Sequence, residues 1–236
     1  MTIDTTNRST EAEIMDDFSI EGEELRDALE KIAKINQLLG GNNVTIDGVN
    51  KILSGHSISE VYTIVDFGCG NGDMLRAVAD HFIKKGYNFR LIGIDANEFT
   101  INVARELSAK YTIEYLCEDL FETNLSELHY DIGLCTLTLH HFTDSDIEKL
   151  LVNLFDNTRL GLVINDLQRS KTAYRLFGLV CAVFGLNRLS RLDGQVSILR
   201  GFKKIDLIAF SKKLGFKNYS LDWKWAFRYQ WIIKKI

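Results

Sequence analysis

The chain has 236 residues, 46% hydrophobic and 25% charged, with a formal net charge of −4. That is enough for one α/β domain with an extension, able to bury roughly 70% of the surface its unfolded form exposes. The acidic balance disfavours a general nucleic-acid binder, which shows a net basic footprint.

The first twenty residues are polar and read as weakly ordered. They carry neither the basic region nor the apolar core of a secretory signal, so a cytoplasmic protein is expected. Acidic residues crowd the first thirty positions and basic ones the last thirty-odd, which reads as two solvated faces. From Glu23 to Leu39, apolar residues recur at the three-and-four spacing of an amphipathic helix, closed by Gly40-Gly41. A second, short helix is expected from Ile46 to Leu53. Val61–Phe67 is then a continuous β-branched apolar run, the pattern of a buried parallel strand.

Strand and helix alternate from there. Helix Asp73–Lys85, strand Phe89–Ile94, helix Glu98–Lys110 and strand Ile113–Cys117 come first. A short helix near Leu125–Leu128, strand Ile132–Thr136, helix Asp144–Thr158 and strand Leu160–Asn165 follow. Such alternation predicts a parallel sheet with helices on both faces. Ser170–Leu186 reads as one apolar helix, too short to span a bilayer, which needs about 20 residues. No membrane insertion is expected. Asn187–Gly201 reads as a polar linker, Lys203–Leu214 as a helix, and Phe216–Leu221 with Ala226–Ile233 as a closing hairpin. The four cysteines form no C-x-x-C pair and read as reduced thiols, not as a disulfide framework or a zinc site.

Chemistry concentrates at the strand tips. The first βα turn is Asp66-Phe67-Gly68-Cys69-Gly70-Asn71-Gly72. Its glycines let the backbone of Gly68, Cys69 and Gly70 approach a ligand closely, at the sheet edge where α/β proteins bind ligands. The spacing is G-x-G-x-G, not the G-x-G-x-x-G of dinucleotide binders. Asp66 would repel a pyrophosphate but suits a cationic ligand, such as the sulfonium and ammonium of S-adenosylmethionine. The second strand ends in Asp95, followed by Ala96, placed for two ribose hydroxyls; by itself such an acid is as readily a turn residue. At the third tip, Glu118-Asp119-Leu120-Phe121 offers an acid for an adenine amino group and an apolar side chain for the base.

These segments together resemble the class I S-adenosylmethionine-dependent methyltransferases. Val65–Gly72 is similar to their first motif, Asp95 to their ribose-binding acid, and Glu118-Asp119-Leu120 to their adenine-contacting stretch. Asp131–Phe142, with Thr136, is similar to the fourth motif, beneath the methionine part of the cofactor. The resemblance covers roughly residues 61–165. It implies a Rossmann-like α/β fold, a seven-stranded, mostly parallel sheet with an antiparallel last strand. S-adenosylmethionine is the implied methyl donor. Asn165–Arg169 and Asp193–Arg200 further resemble bacterial methyltransferases of aromatic polyketide or quinone-type molecules, although Phe18 stands where that group carries a proline.

On this reading, residues 1–55 form an N-terminal helical extension. Residues 56–236 form the methyltransferase domain, with a helical insertion at about 168–201. His140 and His141 follow the fourth strand, where donor and acceptor meet, and one of them serves as general base for a hydroxyl. Being adjacent, they are expected to point different ways. Asp166 and Arg169 follow the fifth strand on the same edge and orient a polar substrate group, joined by Arg200 from a polar loop, flanked by Asp193 and Arg200, that folds over the pocket; the alternatives are a helix cap for Asp166 and a surface ion pair for Asp193 and Arg200. Helix Lys171–Leu186 is either a buried helix or a lid over an apolar pocket. No metal is expected. The leading reading is O-methylation of a small aromatic or lipid-like acceptor, as in secondary metabolism. The alternatives are C-methylation of a quinone-type ring and a non-catalytic S-adenosylmethionine-binding protein.

Overall fold

A computed structural model describes residues 3–122 and 128–235. Two helices precede the sheet, α1 (Glu23–Leu38) and α2 (Gly41–Leu53). Next come β1 (Val61–Phe67), α3 (Asp73–Ile83), β2 (Asn88–Asp95), α4 (Glu98–Leu107), β3 (Ile113–Cys117), β4 (Tyr130–Thr136), α5 (Asp144–Asn157) and β5 (Thr158–Leu167). The chain ends with α6 (Lys171–Phe184), α7 (Arg188–Arg200), α8 (Lys204–Lys213), β6 (Tyr219–Lys224) and β7 (Arg228–Lys234). The helix expected at Leu125–Leu128 falls mostly outside the described residues.

The sheet order is β3-β2-β1-β4-β5-β7-β6. β7 runs antiparallel to β5 and β6, and the other neighbouring pairs are parallel. Val65 and Phe67 of β1 pack into one core with α5 and α8, whereas Tyr62 and Ile64 pack into the other with α2, α3 and α4. Both faces are covered, which is why β1 reads as an unbroken apolar run. Strand order reverses between β1 and β4. That switch point opens a crevice at the carboxyl strand ends, where ligands of such sheets bind.

Two segments differ from the sequence reading. Asn187–Gly201 is not a linker: its core is helix α7. Ser190, Asp193, Ser197 and Arg200 recur along it at three- and four-residue spacing and are all buried. The buried stripe is thus largely polar, so apolar periodicity could not find it. The N-terminal segment is not loose either: Glu11 to Asp16 lie on that stripe, and Phe18 and Ile20 accept from Asn97. Asp193 accepts hydrogen bonds from the Ile14 and Met15 amides at 2.8 and 2.9 Å, and Ser197 Oγ donates to Glu13 at 2.6 Å.

Arg8 fastens the same segment. Its guanidinium donates to the carbonyls of Arg200, His140 and Phe142 at 2.7, 3.1 and 3.0 Å, and lies over the Phe202 ring. Its ion pair with Asp144 adds little, since that carboxylate is largely exposed. Arg8→Ala is expected to lower stability by about 1–2 kcal/mol, through the lost carbonyl hydrogen bonds. Urea unfolding measures this; an unchanged midpoint would mean the segment is not held there.

Candidate active site

The glycine turn is tied to its neighbour strand: the Gly68 and Cys69 amides both donate to the Ile94 carbonyl, at 2.8 and 2.9 Å. Gly72, with φ of 77°, starts α3, and a Cβ there would run into the Tyr115 phenol. Asp95 accepts from the Gly70 amide at 3.0 Å and the Asn97 amide at 3.1 Å, so it ties the turn to Asn97, the N-cap of α4. Burial raises the Asp95 carboxyl above its usual range.

Asp66, beside this turn, is fully buried. Its Oδ1 has no hydrogen-bond partner. Burial, and then the nearby charges of Asp73 and Asp95, push its carboxyl well above the usual 3.8. An orphaned buried carboxylate oxygen is what a cationic ligand would complete.

A cavity of about 730 Å³ opens over the turn. That falls within the ordinary range for small-molecule sites, about 300–1,000 Å³. Asp66, Gly68, Cys69, Gly70, Asp95, Ala96, Asp119, Leu120, Thr136, His140 and His141 all line it. The three predicted acids and the histidine pair therefore share one wall system. Apolar residues of the flanking helices, among them Leu29, Ile32, Phe177 and Val180, line it as well. Helix α6 is not buried all round: Leu176, Leu179 and Val183 are exposed, while Leu176, Phe177 and Val180 reach the cavity.

Asp166, Arg169 and Arg200 do not line the cavity, which corrects their placement as substrate-orienting groups. Their polar atoms are taken up inside the protein. Asp166 Oδ1 accepts from the Leu167 amide and lies 2.7 Å from His140 Nδ1; the cap of α6 is Ser170 instead. Arg169 donates to the carbonyls of Thr5, Thr6 and Gly201 and pairs with Asp206 at 3.0 Å. Arg200 donates to the carbonyls of Glu11, His140 and His141 and pairs with Asp16 at 2.5 Å, not with Asp193.

The histidines sit in a 3₁₀ turn, Leu139–His141, and do not diverge as adjacency suggested. Their ring centroids are 4.3 Å apart, tilted by 33°. Each has its own carboxylate, Asp166 for His140 and Asp16, 2.6 Å away, for His141. Burial by itself raises Asp166, but the His140 ring beside it outweighs this and holds the carboxyl below its usual range. Asp166 is therefore ionised, and when the His140 ring is neutral this carboxylate accepts the Nδ1 proton and places the lone pair on Nε2.

Glu13, which sequence reasoning missed, faces both rings; its Oε1 lies 3.7 Å from His140 Nε2 and 3.6 Å from His141 Nδ1. Burial pushes its carboxyl up to about 7. Among the described residues, Glu13, His140 and His141 are the one grouping with ligand atoms close enough for a cation, where none was expected. The Arg200 guanidinium, 3.8 Å from the same Glu13 oxygen, already brings positive charge to it. Arg228 was missed too. It lines the cavity, is 4% exposed and came from a segment read only as a closing strand.

Residues 64–161 match the family model described as a methyltransferase domain. No curated protein matches the chain. Among solved structures, the plantazolicin methyltransferase BpumL in complex with SAH superposes with a TM-score of 0.68 at 15% identity, over 88% of this chain and 89% of that one. Magnesium protoporphyrin IX methyltransferase from Synechocystis PCC 6803, with bound SAM, gives 0.57 at 13% identity over 86% and 84%. The CurJ carbon methyltransferase gives 0.59 at 16% identity, over 81% of this chain and 53% of that one. With the sheet order, these findings give residues 64–161 a methyltransferase-domain match and the chain the fold of these solved methyltransferases. No helix among the described residues is long and apolar enough to cross a membrane.

Proposed function

We propose that the protein methylates the hydroxyl of a small aromatic or lipid-like acceptor. The observation that carries this is His140: it lies on the cavity wall with Nδ1 held by a buried, ionised Asp166. That is the base-and-orienter geometry required to take a proton from a hydroxyl. His141, backed by Asp16, is the second candidate.

Bound S-adenosylmethionine supplies a methyl group already activated on its sulfonium. The chain therefore contributes mainly proximity, orientation and proton removal. In this reading Asp66 faces the cationic end, and Gly68, Cys69 and Gly70 form the floor. Asp95 with Ala96 holds the ribose, Asp119 and Leu120 hold the base, and Thr136 lies beneath the methionine part. Residues 1–55 and the insertion at about 168–201 form an apolar cover on domain 56–236. Their side chains Leu29, Ile32, Phe177 and Val180 favour an apolar acceptor over a sugar.

Calorimetry with S-adenosylmethionine, S-adenosylhomocysteine and NAD tests the donor; only the first two are expected to bind. Product analysis with phenols, their O-methyl ethers and quinone-type rings tests the acceptor. Methylation of the phenol with none of its ether is the expected result. Equal turnover of phenol and ether would place the methyl on carbon and sink the hydroxyl reading.

A further inference from the structure

Three arginines are almost fully buried in this fold, and two of them show how the chain treats such a group. Arg169 and Arg200 each donate to several backbone carbonyls and each pair with an aspartate. Arg228 is treated differently. Its Nη2 donates to Asn36 Oδ1 at 2.5 Å, but its buried Nε and Nη1 have no hydrogen-bond partner. Among the described residues it has no ion pair.

Its position is as informative as its two unpaired nitrogens. Arg228 opens β7, next to Leu167 at the carboxyl end of β5, and its guanidinium packs beside Gly41 at the start of α2. It is the only lysine or arginine on the wall of the cavity, among the described residues. Burial lowers it to about 10, with the Asp166 and Asp73 charges opposing, so it stays cationic at neutral pH. A buried cation with unpaired N–H groups and no counter-charge in contact is costly, and the other two arginines each have both carbonyls and an aspartate. Unpaired N–H groups on an arginine that lines a ligand cavity are the exception that a ligand explains.

We propose that Arg228 is a carboxylate-binding residue of the cavity, its open N–H groups completed by the carboxylate of a bound ligand. Guanidinium is the side chain best suited to this, because it offers several donors in one plane and stays charged. Two molecules at this site can bring that group: the donor, whose methionine end carries an α-carboxylate, and an acceptor that carries a carboxyl beside its hydroxyl. The first source rests only on the donor; the second rests also on the hydroxylated-acceptor reading.

Titration of the full-length protein, wild type and Arg228→Met, separates these cases without turnover. The probes are S-adenosylhomocysteine, its decarboxylated analogue, hydroxybenzoate and phenol. If the donor is the source, wild type prefers S-adenosylhomocysteine over the analogue by roughly 10- to 100-fold, the worth of hydrogen bonds between charged groups. Arg228→Met then removes that preference and leaves the analogue's affinity in place. If the acceptor is the source, the same loss appears between hydroxybenzoate and phenol instead. The melting temperature of the ligand-free variant is expected to hold or rise, since an unpaired buried charge has been removed. Should Arg228→Met not fold, Arg228→Lys is read in the same titrations, with the preference reduced. The proposal is overturned if wild type shows no carboxylate preference with either pair. It is also overturned if the variant weakens carboxylate and non-carboxylate ligands alike, for the arginine would then be structural.

Discussion

Replacing His140 by alanine is expected to lower methyl transfer to a phenolic acceptor by roughly 100- to 10,000-fold, the usual contribution of a positioned acid–base group. S-adenosylhomocysteine should bind the variant as it binds wild type, because the cofactor candidates lie on the β1, β2 and β3 tips and at Thr136, not on His140. The effect depends on Asp166. Its carboxylate, 2.7 Å from Nδ1, fixes which nitrogen carries the proton and so where the lone pair points. Asp166→Asn should therefore reproduce much of the loss, and the double variant should add little, since the two residues act as one unit. His141→Ala should cost less: that ring is only half-buried, and Asp16 faces it from the N-terminal segment. Initial rates and cofactor titrations on the four variants check the scheme. A His140→Ala enzyme within about threefold of wild type would remove His140 as the base.

The parts of this arrangement that were legible in the sequence share a physical origin. β1 to β5 are covered on both faces, so their apolar runs announce themselves; the acids Asp66, Asp95 and Asp119 then fall at strand tips by counting. The glycine turn reads clearly because only glycine suits its positive φ and its close contacts. What stayed hidden is polar and non-local. Helix α7 buries Ser190, Asp193, Ser197 and Arg200, so its inward stripe carries few of the marks of a core. Glu13 and Asp16 reach the histidines across more than 120 positions of chain, a pairing no spacing rule contains. Arg228 lay in a segment recognisable as a strand, with nothing in its neighbours to say that it would line a cavity. The misplacement of Asp166, Arg169 and Arg200 has the same root. Polar residues at a ligand edge were taken to face the ligand, whereas these three hold together the shell behind it.

Asp66→Asn is expected to stabilise the free protein and weaken its hold on the donor, two effects of opposite value from one oxygen. Asp66 loses its proton near the usual 3.8 when the chain is unfolded and well above that when folded, because burial disfavours the charge. Between those two values the folded state holds the extra proton, so stability falls as pH rises through that window. The asparagine variant lacks this penalty. Its melting temperature should exceed that of wild type near neutral pH, and the gap should close below the usual carboxylate range, where both states are protonated. Binding runs the other way. A cationic group set against Asp66 favours its ionised form, so donor association releases a proton and donor affinity rises with pH up to the free protein's own titration. Losing one hydrogen bond between charged groups is worth about 1.5–3 kcal/mol, so Asp66→Asn should bind S-adenosylmethionine roughly 10- to 100-fold more weakly. Its affinity should also be flat with pH. Calorimetry in buffers of differing protonation enthalpy reads affinity and proton release together. Equal affinities for the two proteins at every pH would mean that Asp66 does not face the donor's positive charge.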